Sequence, residues 1–235
     1  MKVSIVIPTL NEENNIPYLL KDLSKQTVKP FEIIIVDGKS QDNTRSIIKK
    51  EKNVKLFLSN PCVAKQRNIG GMKSRGEVIF FLDADTRLKN DFIEKSIAFI
   101  KKTNASIICP FYLPFKSTPL ITFIYIFFSS LFFIFQKISA SGAGSCIIVK
   151  KEVFDLIKYN EGFKFDDIEF IRRASRSFLF KTMPQSIYVS DRRFKQYGVI
   201  KMFLYYLVLS IFFFCNQFTL VNYLPYTFSK YNKND

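Results

Sequence analysis

The chain contains no histidine and no tryptophan. Without histidine there is no Ser-His-Asp triad, no Cys-His dyad, no HExxH zinc site and no imidazole proton shuttle. Acid–base chemistry falls instead to carboxylates, lysine, tyrosine or cysteine. Cysteine is sparse: Cys62, Cys109, Cys146 and Cys215 lie far apart with no CxxC pair. A structural zinc site is therefore almost without ligands, and scattered thiols of this kind are expected to be reduced and cytosolic. Only 8 glycines and 9 prolines occur, too few for a collagen-like or linker-type chain. The run from Met1 to Pro8 is too short for the apolar core of an export signal.

What is present is a 235-residue chain, 48% apolar, which corresponds to about one and a half domains and can bury a full core. The net charge is +15, and it is spread evenly: residues 1–117 hold 20 basic and 12 acidic side chains, and residues 118–235 hold 15 and 8. A nucleic-acid binder needs a basic stripe with interleaved stacking aromatics. Here the 27 phenylalanines gather in uncharged runs, so no nucleic-acid partner is expected.

The first half alternates strands and helices. Val3–Ile7, Phe31–Val36, Val54–Leu58 and Glu77–Leu82 are short, largely β-branched or apolar runs stopped by polar residues, the signature of buried strands. Helical stripes fall between them, around Tyr18–Leu23, 43–51, Ala64–Lys73 and Asn90–Lys102. A further strand is expected at Cys146–Val149 and a helix at Lys151–Lys158. Such alternation builds an α/β, mostly parallel sheet with helices on both faces, in which ligands sit beyond the carboxyl ends of the strands. The polar residues at those ends are the site candidates: Thr9, Asn11 and Glu12, then Asp37 and Ser40, then Asp83 and Asp85. The alternating carboxylates of Asp83-Ala84-Asp85 supply hard oxygen ligands for Mg²⁺ or Mn²⁺ bridging to a diphosphate. Lys65 and Arg67 stand where a helix start can offer cations to phosphates.

The blocks Ile7–Glu13, Glu32–Thr44, Gln66–Gly70, Phe81–Thr86, Gly142–Phe154, Asp166–Arg173 and Arg192–Phe194 together resemble the family 2 glycosyltransferases of GT-A (Rossmann-like) fold, over about residues 1–200. The resemblance implies a nucleotide-sugar-dependent transferase, usually inverting. It implies that Pro8, Thr9, Asn11, Glu12, Asp37, Ser40, Lys65, Arg67, Asp83, Arg192 and Arg193 bind the nucleoside-diphosphate sugar. It implies that Asp85 with Asp83 holds Mn²⁺ or Mg²⁺, and that the acidic pair Asp166-Asp167 carries catalysis, Asp167 as the base. Two departures stand out: Lys39 replaces a family glycine, and Asp166 replaces the usual glutamate. A polyprenyl-phosphate glycosyltransferase, whose acceptor is already anionic, is the near alternative. A sugar-nucleotide nucleotidyltransferase is more distant, because Pro8–Glu13 is not the Gly-rich basic loop it requires.

Two Phe-rich stretches remain. Pro119–Phe135 is 17 residues and Met202–Cys215 is 14, about 26 and 21 Å as helices, against a bilayer core of ~30 Å. With cationic flanks, they are expected to be membrane-contacting helices lying in the interface of an anionic leaflet, with shallow spanning as the second choice. The expected layout is a GT-A domain over 1–200 with a hydrophobic insertion at about 117–136, then a membrane-associating segment over 201–229. The enzyme would work at the cytoplasmic face of the cell membrane on a lipid-linked or saccharide acceptor.

Overall fold

The computed structural model describes residues 1–142 and 144–214. Seven strands form one sheet: β1 (Val3–Thr9), β2 (Glu32–Asp37), β3 (Val54–Leu58), β4 (Val78–Leu82), β5 (Ile107–Pro114), β6 (Cys146–Lys150) and β7 (Phe180–Val189). Their spatial order is β3-β2-β1-β4-β6-β5-β7. The first four are parallel, with Val6 of β1 between Ile34 of β2 and Phe81 of β4, while β6 runs antiparallel to both β4 and β5. The chain moves outward from β1 through β2 to β3, then jumps back to β4 on the other side of β1. The direction of winding reverses between β1 and β4, and in such sheets the ligand crevice lies at the carboxyl ends of the strands at that point.

The helices are α1 (Ile16–Ser24), α2 (Thr44–Lys49), α3 (Val63–Lys73), α4 (Phe92–Thr103), α5 (Pro119–Phe135), α6 (Lys151–Ile157), α7 (Asp166–Ser175), α8 (Arg192–Tyr197) and α9 (Val199–Phe214). Strand residues alternate between two cores. Ile5, Ile7 and Phe80 pack with Leu19 and Phe92 on one face, and Val6, Ile34 and Phe81 pack with Phe154 and Phe170 on the other. With both faces covered, the central strands read as continuous apolar runs. Gly70 lets α3 lie directly on β1, since a Cβ there would meet Val6 Cγ1 at 2.2 Å. That close approach sets the depth at which α3 delivers its next-turn neighbour, Arg67, to the strand ends.

The expected parallel sheet is thus the inner part of a larger mixed one. Strands β5 and β7 carry Pro110, Pro114 and Pro184, which interrupt the apolar pattern, and the β5–β7 pairing slips in register between Pro110 and Phe111. Proline is tolerated at such a bulge or on an edge strand because it has no amide proton to give to a ladder. The two Phe-rich stretches form the helices α5 and, as far as Phe214, α9, and both pack onto the rest of the fold. Ser129 Oγ of α5 accepts from the Tyr112 amide and donates to the Tyr112 carbonyl, both at 3.2 Å. Ile121, Ile124 and Phe128 of α5 bury against Met202 of α9 and Phe194. The expected boundary at 200/201 therefore falls inside a packed helix. Among the described residues no helix is long and apolar enough to cross a membrane, and α9 is described as far as Phe214. The remainder of the expected 201–229 segment lies outside the described residues.

Candidate active site

Three loops and three helix ends converge at the carboxyl edge of the sheet. After β1 and β2, the loops are stitched together through Asp37. Its Oδ1 accepts from the Ser40 amide at 2.8 Å, and its Oδ2 accepts from Ser40 Oγ at 2.5 Å and Thr9 Oγ1 at 3.1 Å. Ser40 Oγ in turn accepts from the Asn11 amide, and Asn11 Oδ1 accepts from the Gln41 amide. Gln66 of α3 locks the same region from below, donating Nε2 to the carbonyls of Thr9 and Val36 at 2.8 and 2.7 Å. Pro8, Thr9, Asp37 and Ser40 are buried. Asn11 is half-buried, and Glu12 is buried, its amide donating to Thr44 Oγ1 at 2.8 Å. Lys39 lies in the left-handed region at φ 66°, where a non-glycine residue costs about 1–2 kcal/mol. The glycine expected there is the residue this turn favours.

The centre of the site is an arginine between two acidic groups. Arg67, 3% exposed, donates Nη1 to Asp166 Oδ2 at 2.8 Å, and Nη2 to Asp83 Oδ1 and the Gly144 carbonyl, each at 3.0 Å. Its guanidinium also lies 5.4 Å from the ring centroid of Tyr159. Lys65 and Arg67, each expected to offer a cation to phosphates, are placed apart by the fold. Two residues apart on a helix, they face different directions: Arg67 turns inward to the carboxylates, and Lys65 stays half-exposed in the first turn of α3. Gly144 is required by the same packing, since a Cβ there would stand 2.6 Å from Asp167 Oδ2 and 3.0 Å from Arg67 Nη2. The Gly144 amide bonds the Asp167 carboxylate, so Gly144 touches both ends of the network. Sequence reasoning gave Gly144 and Tyr159 no role, because nothing local in the chain marks a residue that matters through contacts this remote in sequence.

Charge and burial oppose each other here. Burial raises the Asp166 carboxyl to about 6 against the pull of Arg67. Burial also raises Asp167, again opposed by Arg67 and by amide bonds from Ile168 and Gly144. On the other side of the crevice Arg192 spans two loops, with Nη1 3.2 Å from Glu12 Oε1 and Nη2 3.4 Å from Asp85 Oδ2. Burial raises Asp85 to about 6; Arg192 and Arg193 oppose the shift, and Asp83 and Glu12 add to it. Arg193, half-buried beside Arg192, acts on Asp85 through its charge.

No group of three or more metal-ligating side chains stands together among the described residues. The donors present still suit a hard dication shared with a ligand. Asp83 commits one oxygen to Arg67 and keeps its side chain 34% exposed, and Asp85 sits in a field of neighbouring carboxylates. Mg²⁺ and its relatives use one or two carboxylates together with substrate phosphates and do not need a complete protein cage.

Acidic pairs thus stand on either side of a buried arginine at the switch point of a mostly parallel sheet, the place where α/β folds bind ligands. The sequence profile described as "Glycosyl transferase family 2" matches residues 4–158. The chain belongs to that family. The poly(ribitol-phosphate) beta-N-acetylglucosaminyltransferase TarS of Staphylococcus aureus is 30% identical over 116 residues, covering 46% of this chain and 20% of TarS. An uncharacterized glycosyltransferase of Haemophilus influenzae is 36% identical over 104 residues, 42% of each chain. This chain thus spans less than half the length of either relative. The crystal structure of S. aureus TarS residues 1–349 superposes with a TM-score of 0.64 at 22% identity, covering 81% of this chain and 60% of that one. A mannosyltransferase from Pyrobaculum calidifontis, solved with GDP-Man and Mn²⁺, gives 0.67 at 18% identity, covering 80% and 56%. These likenesses show the GT-A-like α/β fold.

Proposed function

We propose that the chain transfers a sugar from a nucleoside-diphosphate sugar to an acceptor hydroxyl, with inversion at the anomeric carbon. The observation that carries this reading is Arg67, which holds the acidic pair of α7 and the acidic loop after β4 within one guanidinium of each other. In the proposed step the acceptor oxygen attacks the anomeric carbon and its proton passes to Asp167. The bond from that carbon to the diphosphate oxygen breaks, and its electron pair leaves with the nucleoside diphosphate. One displacement from the opposite face inverts the centre. Asp167 is the base because Asp166 is tied to Arg67, whereas Asp167 is oriented by backbone amides. Asp85 and Asp83 would hold Mn²⁺ or Mg²⁺, which supplies charge stabilisation to the departing diphosphate when bound. Arg192 and Arg193 stand across the crevice as further cations for that group. The loops joined by Asp37, with Thr9, Asn11 and Ser40, take the nucleoside end.

The solved relatives support the donor class: TarS has been crystallised with UDP-GlcNAc and the mannosyltransferase with GDP-Man and Mn²⁺. The acceptor is proposed to be a saccharide or a lipid-linked glycan, met at the cytoplasmic face of the membrane, where nucleotide sugars are expected. The exposed apolar helices favour the lipid-linked class.

Calorimetry with UDP-GlcNAc, GDP-mannose and a dTDP-sugar, each with Mn²⁺, Mg²⁺ or chelator, tests the reading. Cation-dependent binding of one donor is expected, followed by NMR of the product's anomeric configuration. Failure to bind any nucleoside-diphosphate sugar with either cation would overturn it.

A further inference from the structure

Helices α5 and α9 lie side by side in the same direction, since Phe128 meets Phe203 at 5.9 Å between ring centroids and Phe135 meets Phe214 at 5.2 Å. Their contact buries one face of each. Each also presents a second apolar stripe at helical spacing that nothing in the described fold covers. On α5 the stripe includes Leu120, Phe123 and Ile134, and on α9 Ile200, Leu204 and Ile211. Phe123 is 65% exposed and Ile200 78%. Water-facing apolar stripes of this length on two adjacent helices mark an interaction surface.

The charge around these stripes says what covers them. From Lys95 to Lys151, and again from Arg192 to Phe214, the chain holds seven and four cations and not one carboxylate. All 20 acidic residues lie elsewhere. Among those cations, Lys116, Lys137 and Lys201 are exposed, the first two flanking α5 and the third in the opening turns of α9. Apolar stripes with cationic edges and no acidic residue complement an anionic lipid surface, where the side chains enter the acyl boundary and the ammonium groups meet the phosphates. A protein partner would be expected to answer the cations with carboxylates, but a second copy of this chain has none on this face to offer.

We infer that the α5–α9 face is a seat for an anionic lipid leaflet, lying in the interface and not crossing it. Helix α5, at 17 residues, is too short to span, and the 16 described residues of α9 are as well. Such a seat holds the crevice at the membrane surface, where the lipid-linked acceptor of the proposed reaction would arrive. That last step rests on the transferase reading, whereas the seat itself does not.

Vesicle flotation of the full chain tests it, with phosphatidylcholine vesicles alone or mixed with phosphatidylglycerol, and with no sugar nucleotide present. Retention on the phosphatidylglycerol vesicles is expected. The pair Phe123→Glu and Ile200→Glu, both at exposed sites, is expected to lower binding by about thirtyfold, since each charge near such a surface changes the free energy by about 1 kcal/mol. The melting temperature should hold. The pair Phe123→Lys and Ile200→Lys should bind at low salt and be stripped at high salt, which separates apolar seating from charge. Unchanged binding of the glutamate pair would overturn the seat. So would vesicle-free self-association in ultracentrifugation that the glutamate pair abolishes, which would make the face a contact between copies. Flotation without donor binding would sink the transferase reading and leave the seat standing; donor binding without flotation would do the reverse.

Discussion

Arg67 Nη1 stands 2.8 Å from Asp166 Oδ2, and the two residues, 99 positions apart in the chain, are both buried. Neither charge is tolerable there without the other. The expected cost of Arg67→Ala is about 3–5 kcal/mol, because it strands a buried carboxylate. Urea denaturation at neutral pH measures it. At pH 4, where Asp166 with its raised pKa is protonated, the penalty should shrink.

Gly144→Ala places a methyl group against Asp167 and Arg67. A displacement of about 1 Å at a reacting group costs on the order of 10²-fold in rate, so turnover is expected to fall that far while donor affinity changes little. Steady-state kinetics beside calorimetry separates the two. Equal turnover would show that the Asp167 position is not critical.

Asp167→Asn should lower turnover by about 10²–10⁴ with donor binding near wild type. If Asp166→Asn is the more damaging to turnover at equal folded fraction, the base lies one residue earlier. If neither matters, an anionic phosphate acceptor that needs no base is indicated.

Asp85 gives a prediction with opposite signs for stability and function. Its folded-state pKa, about 6, lies above the ordinary value of 3.8. Its stabilising contribution is therefore fully present below pH 3.8 and is lost as pH rises through 6. Asp85→Asn, neutral throughout, is expected to be more stable than wild type above pH 6 by up to about 3 kcal/mol, with the gain vanishing near pH 4. Cation-dependent donor binding should disappear in the same variant. Thermal melts across pH and calorimetry with Mn²⁺ report the two halves.

Truncation after Lys201 tests whether α9 belongs to the domain. Met202, Leu209 and Phe213 are buried, each contributing about 1.5–3 kcal/mol. The shortened chain is expected to melt several degrees lower or to aggregate. A stable, active fragment would show that the domain ends before α9, as the composition by itself suggested.

The sequence by itself determined the parallel half of the sheet and the polar residues at its edge. Short, largely β-branched apolar runs ending near Thr9, Asp37 and Asp83 and alternating with helical stripes read as buried strands with polar ends, and that information is local. It left β5 and β7 illegible, because prolines break their pattern and their pairing is set by a bulge against a partner about seventy residues away. A cation at a helix start is legible as a candidate phosphate ligand, but the ion pair of Arg67 with Asp166, 99 positions away, is not. The role of Gly144, the bridge from Arg192 to Glu12 and Asp85, and the division of the Phe-rich helices into a buried face and an exposed one were decided only by the tertiary structure. Each depends on the separation and facing of groups distant in the chain, and burial, ion pairing and steric exclusion depend on distance in space.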